Sequence, residues 1–291
     1  MDLMRGFFFQ RICILGLCIN LLMASGCATY ISRKMEAANR GFMNQTDLNL
    51  VKDGLPSSLL LLDGVNEAFP DNDRLLLAAT QLNIAYGSIL LLDGEKERAT
   101  KAFTKAKRYV FRCLSLRNKR FGEAKGGTFD EFIKSLPIFK KADVPFLYYA
   151  AQAWTMWIIT EDTWASKADA PKVESLLKRI LELDETYNYG MAHCLLGSIY
   201  TARPPALGGL PEEAKRHFER ALEISEGKNL LIPVLYARQY CRLVYDRGLH
   251  DRLLEYVIEA DVETLPKELM ILNILAKEQA KDLLDSSDNY F

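Results

Sequence analysis

The sequence predicts an all-α fold in which successive helix pairs curve into a compact superhelical solenoid. Three observations carry this. A small–large–small triplet at i, i+4, i+7 (Ala214, Phe218, Ala221) recurs as Ala99, Phe103, Ala106. Looser copies are Ser58, Leu62, Val65; Val173, Leu177, Ile180; and Leu253, Val257, Ala260. The spacing puts each triplet on one helical face, where the small residues let a second helix approach closely. The copies lie 41, 74, 41 and 39 residues apart, a step near 40 with one gap too long, which marks an internal repeat. Finally, the alternation of apolar and polar residues expected of strands is almost absent.

The elements follow in chain order. Residues 1–26 read as an export signal: Arg5 and Arg11 flank Phe7-Phe8-Phe9, and Ile12 to Met23 is an apolar run broken by Gly16 and Asn20. That run falls short of the roughly 20 apolar residues a membrane-spanning helix needs. Residues 27–31 form a short tether, and 32–291 a single helical domain. Within it, each good triplet follows an apolar helix ending in an aromatic, Leu82 to Tyr86 before Ala99 and Leu196 to Tyr200 before Ala214. Turns are written at Asp93-Gly94, at Asp169-Ala170-Pro171 and from Arg203 to Pro211. In the last of these Pro204 and Pro205 stop one helix, Gly208 and Gly209 permit left-handed backbone, and Pro211 opens the next helix. The long gap, Arg112 to Asp143, holds Gly126-Gly127 and an amphipathic piece from Phe129 to Phe139.

Composition narrows the function. The 291 residues carry 37 Lys+Arg against 38 Asp+Glu, and without residues 1–26 the balance becomes 35 against 37. This argues against a nucleic-acid ligand, which calls for a basic excess. Cys113, Cys194 and Cys241 are odd in number and widely spaced, so they read as small core residues rather than a disulfide framework. Phosphate loop, nucleophile elbow and zinc-protease motifs are missing. His193, His217 and His250 stand apart in sequence, with no metal-ligand spacing, and His193 occupies a packing position. The expectation is a protein that is not an enzyme and uses no cofactor and no metal.

The expected ligand surface is the inner face of the first helix of each pair. In the phase of the repeat, that face takes Leu77, Thr80 and Ile84, then Ala150, Ala153 and Trp157, then Met191, Cys194 and Ser198, then Tyr236, Gln239 and Leu243. The lining is apolar and partly aromatic, suited to a hydrophobic or amphipathic small molecule. Equally, the same residues would be core if the superhelix closes on itself. The stretch Lys105 to Arg120 has seven basic residues and no acid. It is a solvated helix face or a docking edge for an acidic partner or an anionic ligand head, with Arg117, Lys119 and Arg120 as the contact residues for an acidic partner.

Three resemblances sharpen these expectations. Ala24-Ser25-Gly26-Cys27 resembles a bacterial lipobox, with Ala24 where Leu is usual. This implies acylation of Cys27 and a membrane anchor through lipid, and Ala28 in place of a retaining Asp favours the outer membrane. The helix pairs resemble tetratricopeptide repeats, with Ala79, Gln152 and His193 where Trp is usual and Glu185 where Pro is. The string from Ala202 through Pro204-Pro205, Gly208-Gly209 and His217-Phe218 to Glu223 resembles the TatT family. These are tetratricopeptide lipoproteins associated with tripartite ATP-independent (TRAP) transporters. The resemblance implies a periplasmic location, a solute-binding protein as partner, a homotrimer, and an organic-acid ligand with an apolar body. The competing expectation is a scaffold lipoprotein for envelope assembly.

Overall fold

The computed structural model describes residues 34, 37–38, 40–202 and 205–291. The expected leader, Cys27, the tether and Pro204 lie outside the described residues. Helices make up the described chain, and no strand occurs among the described residues.

The first pair is α1 (Leu48–Ala68) and α2 (Asp73–Leu92). Asp47 caps α1 by accepting from the Leu50 N–H, and Asn72 caps α2 by accepting from Arg74 and Leu75. Each satisfies donors that the first helical turn leaves open. Helix α2 has the length and apolarity of a membrane-crossing segment, yet 61% of that stretch is buried, and it serves as a core helix. After Gly94, held at φ +77°, the chain turns into α3 (Lys96–Arg117), which packs along α2. The close approach depends on Gly87: a Cβ there would sit 2.8 Å from the Phe103 ring.

The long gap between repeat copies is filled, not looped out. Helices α4 (Lys119–Ala124) and α5 (Phe129–Ser135) carry Phe121 and Phe132 into the core, and Phe139 follows. Their rings meet edge to face, Phe121 with Phe132 and Phe139 at 5.9 and 5.5 Å, and Phe132 with Trp154 at 5.7 Å. Thr128 and Glu131 form a capping box that starts α5. Then come α6 (Val144–Glu161), the short α7 (Trp164–Lys167) and α8 (Ala170–Asp184).

Helix α9 (Tyr187–Thr201) begins irregularly, with Asn188, Tyr189 and Gly190 at positive φ. It packs along α10 (Pro211–Ser225), and Gly197 repeats the role of Gly87: its Cβ would meet Phe218 at 2.7 Å. Gly208 takes the left-handed turn between them at φ +86°, and Pro211 is the first helical residue, as read from the sequence. Helix α11 (Leu231–Leu235) continues through a π-helical stretch (Tyr236–Cys241) into α12 (Arg242–Val244). Helices α13 (Arg247–Glu259) and α14 (Met270–Asp285) complete the fold.

The triplets behave as a shared packing device. Ala99, Phe103, Ala106, Val173, Leu177, Ile180, Ala214, Phe218 and Ala221 are all 0% exposed. The last copy slips: Leu254 and Val257 are buried, whereas Ala260 lies one residue beyond the end of α13. Ile271 of α14 shares a buried cluster with Val51 and Leu55 of α1 and Leu75 and Leu82 of α2. The last long helix therefore returns to the first pair.

Candidate functional site

The residues expected on the inner face do converge, but unevenly. Ile84, Ala150, Ala153, Met191, Cys194 and Tyr236 belong to one buried cluster, with Leu77 and Trp157 packed against its edge. Thr80 is also buried and donates its hydroxyl to the Leu76 carbonyl at 2.8 Å. Tyr236 faces a neighbouring helix, its ring stacked on Phe218 at 5.0 Å and 11°. Leu77, Trp157, Ser198, Gln239 and Leu243 keep partial access to solvent.

Sequence reasoning missed an aromatic wall beside these positions. Tyr148 touches Tyr149 at 5.1 Å and Tyr187 at 5.4 Å. Tyr149 also exchanges a hydrogen bond with Gln81 of α2. Burial raises the pKa values of Tyr148, Tyr149 and Tyr187, so all three hydroxyls stay protonated at neutral pH. Tyr148 falls two residues before Ala150, outside the inner-face phase assumed for that helix, whereas Tyr187, four before Met191, would extend the inner face by one regular turn, so periodicity could have found it.

Trp157 is half-buried because a cation covers it. The Lys107 ammonium sits 3.4 Å from its ring centre, with Trp154 and Phe111 at 5.1 and 5.7 Å. Asp169 lies 3.7 Å from the same ammonium and accepts from the Trp154 indole at 3.0 Å. Burial lowers the Lys107 pKa to about 8, with Asp169 opposing the shift.

The basic stretch divides by geometry. Lys105 pairs with Asp63, Arg112 with Asp71 at 2.9 Å, and Arg117 with both Asp73 and Asp143 at 2.5 and 2.8 Å. The Arg117 guanidinium also lies 4.1 Å from the Phe146 ring centre. Arg117 thus ties α3 to α2 and to the start of α6, while Lys119 and Arg120 project into solvent. Along the outer side of α3, an open cleft of about 630 Å³ is lined by Lys101, Lys105, Arg108, Thr104 and Glu161. A second, of about 360 Å³, continues past Lys101 and Lys105 to Tyr86, Leu59 and Leu60.

Two histidines that stand apart in sequence meet in space. His193 and His217 approach with Nδ1 atoms 2.7 Å apart, and Glu185 lies 3.2 Å from His193 Nε2. Glu185 is held in turn by Arg220 at 2.6 Å. Burial, and then the His193 neighbour, lowers the His217 pKa to about 4. Among the described residues no group of three His, Cys, Asp or Glu side chains has an arrangement that could hold a metal ion.

Comparison with known proteins decides the family. The model of the TRAP transporter T-component family matches residues 44–291, nearly the whole described chain. The chain belongs to the TRAP transporter T-component family. The resemblance to TatT read from the Pro-Pro, Gly-Gly and His-Phe string agrees with this match. An uncharacterized protein of Treponema pallidum (strain Nichols) is 23% identical over 268 residues, covering 87% of this chain and 83% of that one. The T-component match includes the triplet helices α3, α8 and α10 and the irregular segments between them.

Proposed function

We propose that this T-component works as a lipid-anchored accessory protein of a TRAP transporter, not an enzyme. It docks a solute-binding protein and receives an organic acid with an apolar body along its inner face. The family match over residues 44–291 carries this reading. Support also comes from the half-open inner residues Leu77, Trp157 and Leu243 and from Tyr149 and Tyr187 beside them, which keep partly accessible apolar and aromatic surface, with Ser198 and Gln239 as the polar groups among them. A homotrimer would present three equivalent docking faces. The anchor would be acylated Cys27 on the periplasmic side of the outer membrane, since multiple acyl chains hold far more firmly than one.

The test is co-sedimentation with a purified solute-binding protein of a TRAP transporter from the same organism. A complex of equal subunit numbers, three of each, supports the reading. Failure of the two to associate, with an envelope assembly protein captured instead, would favour the scaffold reading. Of the three docking residues, Lys119 and Arg120 are the pair to reverse, since Arg117 is engaged within the fold.

A further inference from the structure

Two guanidinium groups, Arg238 on the π-helical stretch and Arg242 just after it, lack the carboxylate partners that buried cations need. Arg238 is half-buried and makes one hydrogen bond among the described residues, from Nη1 to the neutral Gln279 Oε1 on α14 at 3.2 Å. Arg242, four residues on, has Nε and Nη2 buried without a hydrogen-bond partner, and its guanidinium lies 3.4 Å from the Tyr290 ring centre. Neither forms an ion pair among the described residues, whereas Arg117 and Arg179, whose side chains are also partly buried, each engage a carboxylate. The groups acting electrostatically on Arg238 are Arg242 and the Cys194 thiol of α9. Both burial and that like charge push the Arg238 guanidinium below its ordinary value.

An arginine cannot escape this by losing its proton, as a buried lysine can. Removing a guanidinium from water without a counter-charge is strongly unfavourable, and a like charge one turn away adds to that. The fold keeps the pair regardless, at and directly after a π-helical turn, a local geometry that recurs at functional sites. Gln239 sits between them with its side-chain oxygen buried and unpaired. Its amide can turn either its oxygen or its nitrogen toward a bound group. Arg238 also adjoins Cys194, one of the inner-face residues, so this cation stands at the wall of the apolar face, with Arg242 one turn further along the chain.

We propose that Arg238 and Arg242 form an anion subsite that takes the carboxylate of the organic acid whose apolar body lies on the inner face. The carboxylate would accept from the free guanidinium N–H groups of Arg238, with Arg242 supplying the second charge. Planar, forked donors suit a carboxylate better than a point charge does. The subsite rests on the ligand reading above, and the two can fail separately.

The experiment follows the arginine side-chain Nε–H resonances of the purified protein by NMR while acetate, hexanoate and hexan-1-ol are added in turn. Acetate probes the cations without an apolar body, and hexanol probes the apolar face without a charge. The expected result is that acetate and hexanoate shift the Arg238 and Arg242 signals, with hexanoate the tighter. R238Q should weaken hexanoate by at least about tenfold, as loss of a charge-assisted pair does, and leave hexanol unchanged. R238K, which keeps the charge, identifies the Arg238 signal if R238Q fails to fold. If neither anion moves the two signals, or if hexanoate binds R238Q as it binds wild type, the subsite is wrong. If acetate shifts the signals but hexanol does not bind, the subsite stands and the apolar-body reading falls.

Discussion

Replacing Gly197 by Ala tests whether close helix approach organises this fold. In an exposed helix the change should stabilise by about 0.5–1 kcal/mol, because Ala restricts the unfolded backbone. At Gly197 the new methyl would lie 2.7, 2.9 and 2.9 Å from three atoms of the Phe218 ring, inside normal contact distance. That ring cannot yield easily: it is 0% exposed and stacked on Tyr236. Overpacking of this kind costs about 1–3 kcal/mol. The net expectation is a loss of roughly 1–2 kcal/mol. Gly64, on the exposed side of α1 with nothing within 4 Å of an added Cβ, is the matched control, where Ala should stabilise. Phe218→Leu alone should cost about 1–2 kcal/mol through lost volume. In that background the smaller side chain makes room, so Gly197→Ala should become neutral or favourable. The coupling between the two sites would then be about 1–2 kcal/mol. Urea unfolding followed by helical circular dichroism measures all four corners of the cycle. If Gly197→Ala stabilises as much as Gly64→Ala, the close-approach argument is refuted, and with it the meaning given to the small–large–small triplet.

Arg117→Gln should destabilise by about 1–2 kcal/mol, since it removes ion pairs to Asp73 and Asp143 and the contact with Phe146. Lys119→Glu and Arg120→Glu should each change stability by less than about 0.5 kcal/mol, and equal losses from all three would remove Arg117 from its bridging role. Stability should fall as pH drops from 6.5 toward 4: the unfolded chain protonates His217 at its ordinary value while the folded chain resists until about 4. After allowance for partial solvent screening this is worth roughly 1–2 kcal/mol, and His217→Asn should flatten the slope of melting temperature against pH in that window. Cys27→Ser should move the protein from the membrane fraction to the soluble fraction and abolish fatty-acid labelling, and a variant that still labels would overturn the lipobox reading.

Much of this architecture was legible in the residues because helix packing is periodic. Ala99, Phe103 and Ala106 must share a face in any helix, and a small–large–small face has few uses other than close packing. The left-handed turns at Gly94 and Gly208 and the helix start at Pro211 were equally open to reading, since those residue types are selected by backbone geometry alone. The family string was legible for a related reason: it is a turn followed by a triplet helix.

What tertiary structure decided depends on contacts between residues far apart in sequence. Whether the inner-face side chains line open space or fill it is set by the path of the array, and Ile271 joining the cluster of α1 and α2 is a long-range contact that no local pattern encodes. The basic run of α3 read as one edge, yet neighbouring aspartates engage Lys105, Arg112 and Arg117 and leave Lys119 and Arg120 to solvent. Which cation is neutralised depends on the partner helix. His193 and His217, separate in the chain, became a hydrogen-bonded pair through the packing of α9 on α10. Periodicity also assumed α-helical phase throughout, so the π-helical turn from Tyr236 to Cys241 hid Arg238 within it and Arg242 directly after it. A helix's own residues dictate its faces; only its neighbours decide which of those faces meets protein, water or ligand.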